Sequence, residues 1–351
     1  MHLSIIGSPG CGKSTLFQAL SGNIVGNRSG SDHVAVIDVP DYRIDELVRI
    51  FKPKKTIYTR ITLADTAAIM EGDIKSDNAG VKNIQQMRGS DALLLTLRNF
   101  DNGGAVRLRD EFLTIYSEFI ISDMIQIEGR MERIRRQGVK KDNTLLAQEE
   151  EILSECLAHL SEEKPLSTAA VFNTGEKQLR NFQFLSGKPM MVVVNSSDER
   201  NLAADSTIEE LRNTIPDHIP ILSADGKLEA ELALMSEEEQ KVFMEEYGIQ
   251  QSVRGRIIRM ASEMLGLISF LTVGEDECRA WPVRNGSTAQ DAAAAIHTDL
   301  GQKFIRAETV SYSDFINSGG FAECKKKGLW RLEGKTYVVQ DGDILSIRAG
   351  N

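Results

Sequence analysis

The chain predicts an α/β fold: a parallel-rich sheet built from βα units, interrupted by a helical hairpin and followed by a compact α+β unit. Three observations carry this. Strand-length apolar runs alternate with helix-period segments over residues 1–98 and again from 189 to about 266. Residues 105–163 contain no proline and keep helix-period apolar positions. After Gly266 the pattern changes to short strands around a single helix.

In order, Leu3–Ile6 reads as a strand, Lys13–Ser21 as a helix and Val34–Val39 as a second strand. Pro40-Asp41 opens a helix with Ile44, Leu47, Val48 and Phe51 on one face. Arg60–Asp65 and Asp91–Leu97 add strands, and such alternation implies a parallel sheet covered on both faces. Leu108, Phe112, Ile115, Phe119, Ile125 and Ile134 mark one hairpin arm. After a break over Gln137–Asn143, Leu145, Leu146, Ile152, Leu153, Leu157 and Leu160 mark the other. The first arm, roughly 45–50 Å long at 1.5 Å per residue, is expected to project from the sheet.

Pro189–Asn195 and Ile219–Ala224 resume the sheet, each followed by a helix, and a helix over about 251–266 closes it. Beyond it, Leu267–Val273, Arg279–Val283, Phe304–Tyr312, Leu329–Leu332, Thr336–Val339 and Ile344–Arg348 read as strands, with one helix over Thr288–Leu300. The expected domains are 1–104 with 185–265, the hairpin insertion 105–184, and the C-terminal unit 266–351.

The chain has 351 residues, 41% apolar and 26% charged, as in an ordinary soluble protein of two or three domains. A net charge of −10 argues against a whole-surface nucleic-acid binder and leaves room for local basic patches. The longest apolar runs, Ala92–Leu97 and Pro189–Val194, fall far short of a membrane span. With a strand expected from residue 2 or 3, no signal peptide is expected. Cys11, Cys156, Cys278 and Cys324 lie far apart and read as free thiols, so a reducing cytoplasm is the expected location.

Chemistry concentrates in Gly7-Ser8-Pro9-Gly10-Cys11-Gly12-Lys13-Ser14-Thr15, which fits G-x-x-x-x-G-K-[ST] and follows a strand. Amides of such a loop point inward at phosphate oxygens, and the helix behind adds the positive end of its dipole. Lys13 is expected at the β- and γ-phosphates and the Ser14 hydroxyl on Mg²⁺, which makes the first domain a P-loop NTPase domain.

Asp65 ends a strand in Asp65-Thr66-Ala67-Ala68, and there reads either as a loop cap or as a Mg²⁺ group acting through water. The phosphate loop upstream favours the metal. GTPases read D-x-x-G here and use the glycine amide at the γ-phosphate; Ala68 stands in its place. Ile69 occupies the next position, where many GTPases carry a glutamine that positions water, so hydrolysis is expected to be slow or assisted. Asn195-Ser196-Ser197-Asp198 follows a strand where GTPases carry N-K-x-D, whose Asp accepts from guanine and whose Asn ties the loop to the phosphate loop. Ser223-Ala224 fits a last base-contacting loop.

These parts, in this order, resemble the Obg-related GTPases and within them the YchF/Obg-like ATPase family. Val39-Pro40-Asp41-Tyr42-Arg43-Ile44-Asp45-Glu46-Leu47 and Lys52-Pro53-Lys54-Lys55 are similar to its segments. So are Leu265–Glu275, Arg279-Ala280-Trp281-Pro282, Ala295–Asp299, Phe304–Glu308 and Val339-Gln340-Asp341-Gly342-Asp343. The resemblance implies a nucleotide-binding domain, a helical-hairpin insertion and a C-terminal ubiquitin-like β-grasp (TGS) domain, with ribosome association.

Three departures stand out. The family carries Glu where this chain has Asp198, and Ser196 lacks the lysine that packs on the base. Gly22–Ser31 lacks the first-switch threonine, and Asp65–Ile69 replaces D-I-A-G-L. The base preference stays open between ATP, slightly favoured by resemblance, and GTP.

Arg130, Arg133, Arg135, Arg136, Lys140 and Lys141 cluster near the hairpin tip, and Lys325-Lys326-Lys327 with Arg331 form a second basic patch. Either suits RNA phosphates or is a solvated face. His297 reads as structural. The sequence leaves two functions in play: a slow Mg²⁺-dependent NTPase coupled to ribosome or stress-related partners, and a nucleotide-responsive adaptor without useful turnover. A small-molecule kinase shares the phosphate loop but not the C-terminal segment.

Overall fold

The computed structural model describes residues 1–22, 27–29, 32–69, 72, 78–100, 104–136, 144–174, 176–196, 202–246 and 252–350. The chain forms two compact units, Met1–Val36 with Thr62–Arg254, and Ile37–Ile61 with Gly255–Asn351.

The first unit opens with β1 (His2–Ile6), α1 (Lys13–Ser21), β2 (Asn27–Ser29) and β3 (Asp32–Asp38). The next two elements, α2 (Tyr42–Phe51) and β4 (Lys55–Ile57), lie in the second unit. The chain continues with β5 (Arg60–Asp65), α3 (Asn78–Arg88), β6 (Ala92–Arg98), α4 (Gly104–Arg136) and α5 (Thr144–Ser161). Short helices α6 (Ala170–Thr174) and α7 (Glu176–Leu179) lead to β7 (Met190–Asn195) and α8 (Leu202–Arg212). Then come β8 (Ile221–Ala224), α9 (Gly226–Leu232) and α10 (Glu237–Glu246); α11 (Val253–Met264), expected to close this domain, belongs from Gly255 onward to the second unit.

Seven strands stand in the order β2-β3-β5-β1-β6-β7-β8. From β5 through β8 every neighbouring pair is parallel, while β2 and β3 are antiparallel. The carboxyl ends of β1, β5, β6, β7 and β8 therefore share one edge, where open α/β sheets bind ligands. The central strands β6 and β7 are buried almost throughout, which explains their continuous rather than alternating apolar runs.

The hairpin differs from the expected projecting arm. Leu108, Phe112, Ile115, Tyr116 and Phe119 of α4 pack in one core with Leu93, Leu95, Val192 and Val194 of the sheet. Only from Ile120 onward does α4 turn its stripe to α5, where Ile127, Met131 and Ile134 meet Leu153, Cys156 and Leu160. An apolar stripe announces that a face is buried, not what buries it, and here one stripe serves two partners in succession. Asp123, fully buried in α4, accepts hydrogen bonds from the Leu185 and Ser186 amides at 3.0 and 2.8 Å and pairs with Arg88 at 3.0 Å.

Near the tip, Arg130 grips Glu149 through two 2.8 Å bonds, Arg135 pairs with Glu150, and Arg136 pairs with Glu132. With Arg133 donating to the Gly129 carbonyl, four of the six residues of the expected basic cluster thus join the two arms or bond within α4. Lys140 and Lys141 fall outside the described residues.

The second unit contains β9 (Leu267–Thr272), β10 (Glu277–Arg284), α12 (Ala289–Ile296), α13 (Thr298–Gln302), β11 (Phe304–Ser311), α14 (Tyr312–Ser318), α15 (Phe321–Lys326), β12 (Arg331–Glu333) and β13 (Asp343–Ala349). Its sheet runs β12-β11-β13-β9-β10-β4. The helix expected over 288–300 breaks at His297, which is extended (φ −161°, ψ 140°) and caps α13 by accepting from the Asp299 amide. Thr336–Val339 forms no strand; Val338 makes a single bridge to Thr288.

Residues 37–61, grouped with the nucleotide domain on sequence, pack here instead. Ile44 and Leu47 of α2 are buried with Leu271, Ala280, Val310 and Ile344, and β4 pairs parallel with β10. Among the described residues no helix is long and apolar enough to cross a membrane.

Candidate functional site

β1 ends at Ile6 and the chain turns through Gly7 to Gly12 into α1. Gly12 caps the helix at φ 95°, and a Cβ there would stand 2.0 Å from Asn195 Nδ2, so both space and backbone demand glycine. Gly7 is equally confined, its Cβ position lying 2.5 Å from the Thr96 carbonyl and 2.7 Å from Cys11 Sγ. Pro9 and Gly10 form the exposed crest. Cys11 points into the interior, fully buried. Burial pushes its thiol pKa up, against the pull of nearby Lys13, so it packs the loop rather than reacting.

Lys13 folds back over the loop, its ammonium donating to the carbonyls of Gly7 (3.1 Å) and Ser8 (3.0 Å). Ser14, the next residue, donates from Oγ to Asp65 Oδ2 at 2.7 Å. Oδ1 of that carboxylate is buried without a hydrogen-bond partner among the described residues. A buried acceptor left open beside a hydroxyl is the donor set a hard divalent cation takes, with phosphate and water filling the rest, so these residues fit Mg²⁺.

Beyond Asp65 the chain zips onto β1: Thr66 Oγ1 donates to the Ile5 carbonyl and the Ile69 amide to the Gly7 carbonyl. Ala68 is half-buried between them. Ile69 is 6% exposed and belongs to the core with Ile6 and Leu95. The residue at the water-positioning place is therefore packing.

At the far side, Asn195 ends β7 and bridges two loops. Its Nδ2 donates to the Cys11 carbonyl at 3.0 Å and its Oδ1 accepts from the Gly226 amide at 3.0 Å. Ser196 donates its amide to the Ala224 carbonyl and accepts at Oγ from Asn99 Nδ2. Asp198 lies outside the described residues. Ser223 and Ala224 end β8 just before Asp225, which lines the cavity in their stead.

A cavity of about 540 Å³ joins these parts, lined by Gly10, Gly12, Lys13, Ser14, Thr15, Phe100, Asn195, Ser196, Asp225 and Lys227. That volume suits one mid-sized ligand. Sequence reading missed Phe100, Asp225 and Lys227. Asp225 caps α9, accepting from the amides of Lys227 and Leu228. The dipeptide Asp225-Gly226 directly after a strand was its available signal; Phe100 offered only an aromatic after β6.

Residues 267–350 match the family model YchF-GTPase_C, described as a protein of unknown function (DUF933), and residues 2–130 match that of the 50S ribosome-binding GTPase, MMR_HSR1. The chain is 34% identical over 360 residues to the ribosome-binding ATPase YchF of Bacillus subtilis (strain 168), covering 98% of each. This chain belongs to the YchF family. The ribosome-binding ATPase YchF of Escherichia coli O157:H7 is 32% identical, with 97% of each chain covered. The solved Schizosaccharomyces pombe YchF GTPase superposes with a TM-score of 0.84 at 25% identity, covering 99% of this chain and 97% of that one. The likeness extends over nearly the whole chain, through the P-loop domain and the C-terminal β unit alike.

Proposed function

We propose that this chain is a P-loop nucleoside triphosphatase that binds ATP or GTP with Mg²⁺, hydrolyses it slowly and works in association with the ribosome. The observation that carries this reading is that Lys13 and Ser14 line one cavity while Asp65, buried behind Ser14, accepts its hydroxyl and leaves a second carboxylate oxygen without a hydrogen-bond partner among the described residues. In this reading Lys13 leaves the loop carbonyls for the β- and γ-phosphates, and the amides from Gly10 to Thr15 surround them. Ser14 and Asp65 would hold Mg²⁺, which neutralises charge on the phosphates when bound. Asn195 keeps the two loops in register, and Asp198 reads the base. ATP is favoured over GTP by a narrow margin.

The relatives' names, ribosome-binding ATPase, support the activity and the partner. Contact through the hairpin tip and the C-terminal unit is part of the proposal: surface ion pairs such as Arg135–Glu150 are weak enough to yield to phosphate.

Ile69 favours a second reading, a nucleotide-responsive adaptor with little turnover, because a side chain buried in the core cannot orient water. Phosphate release from ATP and GTP, measured with and without ribosomes, separates the two. Turnover stimulated by ribosomes supports the triphosphatase. Tight binding with no release in either condition leaves the adaptor.

A further inference from the structure

Ser196 stands where N-K-x-D loops carry the lysine that packs on the base. The segment Arg98-Asn99-Phe100, running off the end of β6, lies against that loop. Asn99 ties it to the base loop twice, donating from its amide to the Asn195 carbonyl at 2.9 Å and from Nδ2 to Ser196 Oγ at 3.2 Å. Phe100 lines the cavity, and its ring edge lies 3.9 Å from where a Cβ on Gly12 would be. Arg98 lies against that ring, its guanidinium carbon 4.8 Å from the ring centroid. Its Nη1 stands 3.6 Å from the Cβ position of Gly10, so the same guanidinium also borders the phosphate loop.

We propose that Arg98 is a positioning residue for the nucleotide base, holding the Phe100 ring against the phosphate loop in the place that the missing lysine would brace. A lysine in N-K-x-D does two things from one position: its stem covers the base and its head meets the phosphate loop. Here the two tasks are divided. The aromatic ring offers the apolar cover, and the guanidinium, planar and weakly hydrated, lies between that ring and the loop. Arg98 itself is absent from the cavity wall, so its effect passes through Phe100 and not through direct contact with phosphate. A flat ring face selects weakly between purines, which fits a site whose other base-reading residue departs from its family's pattern.

This rests on the nucleotide reading above, and the experiment keeps the two apart. Calorimetric titrations of the full chain with ATP, GTP and inorganic tripolyphosphate are compared for wild type, Arg98→Ala, Arg98→Lys and Phe100→Leu, with thermal melting as a check on folding. Failure of the wild type to bind ATP overturns the nucleotide reading itself. If Arg98 positions the base wall, Arg98→Ala weakens ATP and GTP about five- to twentyfold while tripolyphosphate binding changes less than about twofold. Arg98→Lys, which keeps a cation over the ring, restores most of the loss, and Phe100→Leu reproduces the Ala pattern. Equal weakening of tripolyphosphate and ATP makes Arg98 a phosphate ligand and overturns the proposal. So does unchanged ATP affinity in Arg98→Ala. If Arg98→Ala does not fold, the Lys and Phe100 variants decide alone.

Discussion

Arg43 Nη1 lies 2.8 Å from Asp341 Oδ2, although 298 residues separate them in sequence. The same guanidinium grips Asp41, the N-cap of α2, through Nη2 at 2.8 Å and Nε at 2.9 Å. Asp341 turns its other oxygen to the Ser269 amide at 2.9 Å. The Val39–Leu47 and Val339–Asp343 strings that carry the family resemblance are thus two halves of one network inside the second unit. Burial works against the Arg43 charge, but the carboxylates of Asp41 and Asp341 outweigh it and hold its pKa above the usual value. Arg43→Ala is expected to destabilise the second unit by about 1.5–3 kcal/mol, the range for hydrogen bonds to charged groups. Denaturant titration checks this, and a double-mutant cycle with Asp341→Asn should show coupling. Independent, additive effects would mean the pair is incidental.

The first unit's sheet was legible because strand-length apolar runs and helix-period segments alternate cleanly there, and the phosphate loop because its glycines, Lys13 and Ser14 are fixed by local geometry. What escaped depends on long-range packing. The stripe Ile44–Leu47–Val48–Phe51 is plain in sequence, yet nothing local says that it closes on Leu271 and Val310. Likewise α4 carries a single apolar stripe that serves the sheet and then α5. The break at His297 is set by one side chain capping a new turn, a choice that helix periodicity does not record. In the site, Phe100 and Asp225 reach the cavity only because β6 and β8 end on the same edge of the sheet.

Lys13→Ala should weaken ATP and GTP about tenfold to a hundredfold. The ammonium is nearly buried and held by two loop carbonyls, so it exchanges one set of acceptors for charged phosphate oxygens without leaving the rim. Removing it also strands those carbonyls beside the ligand's negative charge. Titration calorimetry gives the answer, and unchanged affinity would place the phosphates elsewhere.

Gly12→Ala should abolish measurable nucleotide binding, with a lower melting temperature as well. The new Cβ would meet Asn195 Nδ2 at 2.0 Å, while φ 95° is a region that alanine enters only with strain. Relief requires Asn195 to release the Cys11 carbonyl, which unlinks the base loop from the phosphate loop. Wild-type affinity in this variant would show that the Asn195 bridge is dispensable.

Lys188 gives the fold a pH signature. Its ammonium donates to the Ser90 carbonyl, and burial pushes its pKa down to about 8, with Asp91 opposing and Arg88 adding to the shift. Asp123 also faces it and favours the charge. The unfolded chain binds this proton up to about pH 10.4, so between pH 8 and that value the unfolded state holds more protons than the folded one. Stability contributed by this group therefore rises with pH across that window and is lowest below 8, where the charge is buried. Lys188→Met should raise the melting temperature most at pH 7 and progressively less above pH 8. A gain that is the same at pH 7 and 10 would mean the amine is not the titrating group.

Metal dependence tests the Ser14–Asp65 pair. In the wild type, ATP is expected to bind more tightly with Mg²⁺ than with a chelator, because the open Oδ1 of Asp65 gains a partner only when the ion is present. Asp65→Ala removes that acceptor and frees the Ser14 hydroxyl from its 2.7 Å bond. The Mg²⁺ requirement for half-maximal ATP binding should then rise about tenfold, the scale of losing a partner that acts on a metal through water. Affinity measured in chelator should change little, since Lys13 and the loop amides remain. If Asp65→Ala lowers ATP binding equally with and without Mg²⁺, the carboxylate shapes the loop and does not serve the ion.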